Sequence, residues 1–414
     1  MQNGSPVNMP TTLTDVVCCG CSCLCDDLQV DVDGGRVANV TPNCLRGQRY
    51  FSLSEQGAQC RIDGEEASLT QGISAATELL AAAKAPLLLG LGELTIDAQR
   101  AALDWADKLG AYVDAGNPAE PDPSGMVLQS TGLITATLGE IRDRADVVLY
   151  WNADPQLTHP RYRERFALGV AGKFFAGSRT SLVIDQTVTA TSLRADSYFE
   201  SPITDNLEVA QTLLALGRGK CQNPPPKLLR IHQKLAAANY AAIVCGPEFF
   251  GGDDGAAVLE TLADYVRELN QTNRAIVSLL KSGPNWVGAA ETIAWRTGYP
   301  SPVRFAADGP EYEPTSFRAA KLLARGQVDA VIRFDGDWLR KAPPEMLTAL
   351  AKLPTIAFGH DDLDLPAKVA FRVAKPGVEC GGSMHRLDDV PLPLTAVLST
   401  ERQSTETIIR QIIG

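Results

Sequence analysis

From about residue 72 onward the chain alternates between two patterns: stretches with apolar residues every three or four positions, and short runs that are apolar throughout. Residues 72–85 (GISAATELLAAAKA) have helical spacing, and 86–92 (PLLLGLG) read as a buried strand ending in a glycine turn. The spacing predicts an amphipathic helix over 95–110, with Ala98, Ala101, Ala102, Trp105 and Leu109 on one face and Gly110 as its stop. Further strands are predicted at 146–151, 181–185, 241–246, 275–280, 329–334 and 354–359, with helical runs at 255–271 and 316–326. Continuous apolar strands separated by helices predict an α/β fold with a mainly parallel sheet covered on both faces.

Two segments echo each other, 144–155 (RADVVLYWNADP) and 327–338 (QVDAVIRFDGDW). Each sets an Asp before a strand and another in the turn after it. Asp154, Asp335 and Asp337 thereby fall just past strand carboxyl ends, where open α/β sheets bind ligands. Asp also favours such turns for its own backbone hydrogen bonding, so both readings stay open. The run QNPPPK (222–227) is the linker candidate, because three prolines continue neither a helix nor a central strand.

A length of 414 residues suggests two or three domains. Hydrophobic residues make up 45% and charged residues 21%, which is enough apolar material for a sizeable core. The net charge of −11 argues against nucleic acid or an anionic membrane as partner. The first residues, MQNGSPVNMPTTLTD, lack the basic and apolar parts of a secretory signal, and no stretch reaches the roughly eighteen apolar residues of a membrane helix. A cytoplasmic location is expected, where thiols stay reduced and clustered cysteines favour metal over disulfides.

That matters because five of the ten cysteines lie within 18–25: Cys18, Cys19, Cys21, Cys23 and Cys25. The spacing Cys18-x2-Cys21-x3-Cys25, with Cys44 beyond it, offers three thiolates from one tight loop and a fourth from a nearby turn. Such a set suits a 4Fe–4S cluster. An all-cysteine zinc centre is the competitor, but zinc knuckles use two separated C-x2-C pairs, and here the second half supplies only Cys44. Cys19, Cys23 and Cys60 are spare thiols; Cys221, Cys245 and Cys380 read as isolated small hydrophobes. GLGELT (90–95) starts like a dinucleotide fingerprint but lacks its third glycine, and reads as a strand-to-helix turn. His232 lies in a helical run as a surface residue. His159, beside Arg161 and Arg163, forms either an anion-binding corner or a solvated loop.

VCCGCSCLCDD (17–27) followed by NCLRGQRYF (43–51) is similar to the cluster segment of molybdopterin-type oxidoreductases, and among them to the B subunit of formylmethanofuran dehydrogenase. The likeness continues through 137–166 (TLGEIRDRADVVLYWNADPQLTHPRYRERF) and 185–200 (DQTVTATSLRADSYFE), and ends with 373–394 (VAKPGVECGGSMHRLDDVPLPL). It covers nearly the whole chain. The resemblance implies an iron–sulfur lobe at 1–65 and two interleaved, doubly wound (Rossmann-like) α/β lobes. The first would comprise 66–115 and 236–414, with the second inserted at 116–235 and no C-terminal barrel. By the same resemblance the cluster ligands are Cys18, Cys21, Cys25 and Cys44.

One departure stands out. The family ligates tungsten or molybdenum through a Cys or selenocysteine followed by His-Gly-Pro-Ser. The corresponding stretch here is DAGNPAEPDPSGMVLQ (114–129), and anchoring on Pro123-Ser124 and Leu128-Gln129 puts Glu120 at the ligand position and Pro121 at the histidine. A carboxylate is a harder ligand than a thiolate, although related molybdenum enzymes use one. Losing the histidine as well removes the natural proton handler at neutral pH, and Pro118 and Pro121 restrict the backbone around Glu120.

The resemblance therefore implies a B-type homologue in a formyltransferase/hydrolase complex of one-carbon metabolism. In such complexes formyl groups pass from tetrahydromethanopterin to a methanofuran-like carrier and are hydrolysed by other subunits. The chain would be a scaffold or carrier-binding component, with a 4Fe–4S cluster, no molybdopterin or tungstopterin, and no catalytic residue of its own. The alternative is a working oxidoreductase interconverting CO2 and formylmethanofuran. A zinc-stapled structural protein ranks last, since it does not account for the whole-chain likeness.

Overall fold

The structure, a computed structural model, describes residues 10–53, 57–115, 122–167, 172–175, 177–251, 254–360 and 365–414. The chain divides into two units, Met1–Ala119 with Ser282–Arg386 and Pro391–Gly414, and Glu120–Lys281 with Leu387–Val390. In chain order the first unit supplies β1 (Thr11–Val16), β2 (Leu28–Asp33), β3 (Arg36–Thr41), β4 (Cys60–Ile62), β5 (Glu65–Ala67), β6 (Pro86–Leu89) and β7 (Tyr112–Asp114). The second supplies β8 (Val147–Trp151), β9 (Thr180–Asp185), β10 (Ser197–Glu200), β11 (Tyr240–Cys245) and β12 (Arg274–Leu279). The first unit is then completed by β13 (Val303–Ala306), β14 (Gly309–Tyr312), β15 (Ala330–Phe334), β16 (Thr355–Gly359) and β17 (Val369–Arg372), and by the hairpin of β18 (Gly382–His385) and β19 (Pro391–Leu394).

Among the described residues, the first unit's large sheet runs β14-β13-β7-β6-β15-β16-β17-β4-β5. Its five middle strands are parallel, and antiparallel hairpins close both edges. The second unit's sheet, β10-β9-β8-β11-β12, is parallel throughout. Strands β6, β8, β11, β15 and β16 are buried along their whole length, in keeping with their mostly apolar sequences. The mixed α/β architecture expected from the sequence is thus observed. No described helix is long and apolar enough to cross a membrane.

Three expected boundaries shift. The second unit extends to Lys281 rather than 235, because β11 pairs directly with β8 from Ala241–Val147 to Cys245–Trp151, and a cut before β11 would split that sheet. The proline run at 222–227 is not a linker between units. It joins the helix Asn206–Gly217 to the helix Pro226–Ala237 inside the second unit, with Pro226 as first helical residue, where its missing N–H costs nothing. Residues 60–65 belong to the first unit's large sheet, since β4 pairs with β17 through Cys60–Phe371, and the residues expected as an N-terminal lobe fall within that same unit.

Local chemistry sets the helices. In α1 (Leu45–Phe51) the N-cap is Cys44. A capping box of Ser68 and Gln71 starts α2 (Leu69–Ala81) three residues ahead of its apolar pattern. The Thr95 side chain caps α3 (Ile96–Leu109), and Gly110, at φ 63°, ends it. Ala98, Ala101, Ala102 and Trp105 are buried, while Leu109 is only half-buried. Trp105 meets Phe358 edge-on at 6.3 Å, and Phe358 in turn packs on Phe334 and Phe371.

Each parallel sheet reverses its strand order once, between β6 and β15 and between β8 and β11. In the first unit, Glu93 ends the turn that leaves β6, while Asp335 and Asp337 follow β15. These two turns interlock: a Cβ on Gly336 would collide with the Glu93 carboxyl, and one on Gly90 with the Phe334 carbonyl. Burial, then Asp337 and Asp335, push the Glu93 carboxyl up to about 8, with Arg46 opposing.

Leu88, fully buried in the core of this sheet, should cost about 2–5 kcal/mol when replaced by Ala, read from urea unfolding. Glu93 holds its proton in the folded chain at pH values where the unfolded chain has released it, so its contribution is lost as pH rises from the ordinary carboxylate range to about 8. Glu93→Gln, which mimics the protonated form, should therefore gain in melting temperature over wild type between about pH 5 and about pH 8. A difference that does not change with pH would contradict the assignment.

Candidate functional site

The cysteine loop joins β1 to β2 in the first unit. The Cys18 N–H donates to the Cys25 carbonyl at 2.8 Å and closes the loop, and Leu24 N–H donates to the Cys21 carbonyl at 3.1 Å. Leu24 is fully buried, at φ 37°. The loop lies against the first turn of α1 so closely that a Cβ on Gly20 would stand 2.9 Å from the Arg46 carbonyl oxygen, which no side chain tolerates. Cys44 sits in extended backbone at the N-cap of α1, its sulfur accepting from the Gly47 N–H at 3.4 Å. The Gly20 N–H donates likewise to the Cys18 sulfur at 3.4 Å. A Cβ on Gly47 would meet the Cys18 sulfur at 3.5 Å and the Cys44 sulfur at 3.7 Å, so these two thiols flank one point of the helix start.

Cys18 and Cys25 are buried, and Cys21 and Cys44 are partly exposed. Burial, then the neighbouring Cys21, push the Cys18 thiol well up, against the pull of the Gly20 amide. Cys19 is pushed up to about 12, chiefly by burial, while its hydrogen bond with Tyr50 acts the other way. Without a bound cation such thiols stay protonated, and a metal that takes up the charge releases their protons. Among the described residues no three His, Cys, Asp or Glu side chains converge closely enough to hold a single metal ion.

The loop is also connected to the sheet ends. Arg46 of α1 pairs with Asp337 at 3.2 Å. Tyr50, four residues on, donates its hydroxyl to the Pro376 carbonyl at 2.8 Å. Asp335 pairs with the fully buried Arg333 of β15 at 3.3 Å. Glu93, Arg46 and Tyr50 were not expected from the sequence. The glycine turn GLGELT, directly after a buried strand, was the available signal for Glu93, whereas Arg46 and Tyr50 gave none.

In the second unit Asp154 follows β8 and accepts from the Thr191 hydroxyl at 2.5 Å. His159 and Arg161 do not stand in a solvated loop, while Arg163 is partly exposed. His159 is buried, its ring nitrogens 2.9 Å from the Thr158 hydroxyl and 3.3 Å from the Lys281 carbonyl, and Arg161 is buried and paired with Glu164 at 2.6 Å. His232 is half-buried on the Tyr265 hydroxyl at 2.9 Å, not a free surface residue. Glu120, Pro118 and Pro121 lie outside the described residues. The stretch that follows is fastened by Asp122, which pairs with Lys281 at 2.5 Å, while the Lys281 ammonium reaches the Ser124 hydroxyl at 2.6 Å. Burial raises the Asp122 carboxyl, but Lys281 outweighs it and holds the group below the ordinary range.

No protein-family model matches the chain. The B subunit of the tungsten-containing formylmethanofuran dehydrogenase 2 of Methanococcus maripaludis is 26% identical over 407 residues, which is 93% of each chain. Its counterpart in Methanocaldococcus jannaschii is 26% identical over 417 residues, 94% of each chain. The B subunit of the formyltransferase/hydrolase complex Fhc from Methylorubrum extorquens is 28% identical over 327 residues, covering 78% of this chain and 87% of its own length. A chain from the crystal structure of the Methylorubrum extorquens FhcABCD complex with methylofuran shares the fold with a TM-score of 0.72. It is 25% identical, and the match covers 85% of this chain and 97% of that one. By sequence and by fold, the chain is a homologue of the B subunits of formylmethanofuran dehydrogenase and of the formyltransferase/hydrolase complex.

Proposed function

We propose that the chain is the B-type component of a cytoplasmic formyl-transfer and hydrolysis complex, serving as scaffold or carrier-binding partner without a tungsten or molybdenum site. The observation that carries this reading is in the sequence: no cysteine lies between Cys60 and Cys221, and Glu120 stands where relatives of this type are expected to ligate the metal. A chain without that soft ligand, and with Pro121 in place of the adjacent histidine, loses both the anchor and the proton handler of the redox reaction. Its partners would be the other subunits of such a complex, as FhcABCD is for its relative, and a methanofuran-like carrier.

In the same reading Cys18, Cys21, Cys25 and Cys44 hold a 4Fe–4S cluster. Support comes from the donor set, four soft thiols from one loop and one helix cap, and from the Gly20 and Gly47 amides directed at sulfur. A four-iron cluster spreads its thiolates over several irons, so it does not demand that three sulfurs converge on one point as a tetrahedral zinc ion does. When bound, the cluster would supply electron transfer; the chain's own part is to present the thiolates, donate amide hydrogens to them and exclude water from Cys18 and Cys25. A second reading, an active oxidoreductase for CO2 and formylmethanofuran, is favoured by the two dehydrogenase subunits that align over 93% and 94% of the chain.

Metal analysis of the purified complex separates the two. The expected result is about four irons per chain without stoichiometric tungsten or molybdenum, and no dye reduction by formylmethanofuran. Either heavy metal at stoichiometry, together with such reduction, would establish the oxidoreductase instead. Glu120→Ala should leave formyl hydrolysis by the complex within about twofold of wild type, since no transition-state contact is removed. A collapse of hydrolysis in a fully assembled complex would overturn the scaffold role.

A further inference from the structure

The segment 373–381 turns beneath the cysteine loop and carries a buried cation. Lys375 is only 4% exposed, and its ammonium stands 4.8 Å from the centroid of the Tyr50 ring. Tyr50 joins the two regions: its hydroxyl donates to the Pro376 carbonyl at 2.8 Å, and its side chain hydrogen-bonds with Cys19. Gly377 approaches the loop so closely that a Cβ there would meet the Cys19 sulfur at 3.3 Å. On the same turn, Glu379 accepts from the Lys375 backbone N–H at 3.1 Å and pairs with Arg402 at 3.2 Å.

A buried ammonium raises the stability of any negative charge placed near it, and the effect is large where water is excluded. Four thiolates around a cluster bring such charge, and one-electron reduction adds another unit. We propose that Lys375 is a positioning residue for the cysteine centre: docked on Tyr50, its ammonium offsets the charge of the thiolate-held cluster and raises its reduction potential. The proposal rests on the reading of Cys18, Cys21, Cys25 and Cys44 as cluster ligands. It assigns Lys375 no contact with substrate and no proton transfer. Its effect is on the ease with which the centre accepts an electron, and on how firmly iron is kept.

The test uses the complete complex, purified without oxygen, in wild-type, Lys375→Met and Lys375→Arg forms. Iron per chain, iron lost to a chelator over time, and the midpoint potential from an electron-spin-resonance redox titration are measured. Lys375→Met is expected to move the midpoint to more negative potential and to speed iron loss, whereas Lys375→Arg keeps both near wild type. Where the methionine variant does not assemble, Lys375→Gln replaces it, with the same expectation. A methionine or glutamine variant with wild-type midpoint and iron retention overturns the role of Lys375 and leaves the cluster reading intact. A wild-type complex that carries no iron overturns both.

Discussion

A parallel strand buried on both faces has room for polar chemistry only where it ends. In both units this constraint decides where functional groups collect. Strands β6, β8, β11, β15 and β16 are buried from end to end, and the charged groups associated with them stand in the turns that follow: Glu93 after β6, Asp335 and Asp337 after β15, Asp154 after β8. Arg333 is the exception, a guanidinium inside β15 with no exposed surface, and it reaches Asp335 one turn further on. At the strand-order reversal of the first unit, burial and the nearby Asp337 and Asp335 keep the proton on Glu93 above the ordinary range, with Arg46 opposing.

The cysteine loop is attached to this framework by packing more than by charge. The ion pair of Arg46 and Asp337 is exposed on the aspartate side, and pairs of this kind contribute between nothing and about 1 kcal/mol. The loop's own residues Val17, Cys19 and Leu24 instead form a buried apolar cluster with Met384 and Leu394 of the β18–β19 hairpin, with Tyr50 packed against it. Each such side chain, removed from water, stabilises by roughly 1.5–3 kcal/mol. The loop is therefore held in shape by residues between its candidate ligands. This is a use for the spare cysteine at position 19, which is a core residue and a hydrogen-bond partner of Tyr50.

Much of the framework was legible in the sequence, because the strands that matter most carry the least ambiguous pattern. The helix expected at 95–110 forms at Ile96–Leu109, and six of the expected strands form within a residue or two of their predicted limits. The misses have physical causes. In β1 the pattern TTLTDV leaves nearly every residue exposed, so no apolar face marks the strand, although LQVDVD in β2 alternates and could have been read. The run at 222–227 was read as a linker because prolines look like a boundary whether they join two units or two helices. The closeness of the cysteine loop to Cys44 could be read from the spacing, but the place of Lys375 could not. A lysine in a loop normally lies in water, and only the fold reveals that this one is buried on Tyr50.

The division of the chain also separates the two stretches to which the sequence directs attention, the cysteine loop and the segment around residue 122. All four candidate thiol ligands, the helix that caps one of them, and the segment carrying Lys375 belong to the first unit, and their contacts are made within it. The stretch after residue 120 is anchored inside the second unit, where Asp122 and Ser124 are held by Lys281. That anchor is a buried charge pair, and removing one partner from such a pair is costly in itself, whatever stands two residues earlier. The cysteine loop and the Asp122 anchor are therefore held by separate sets of contacts, each within its own unit.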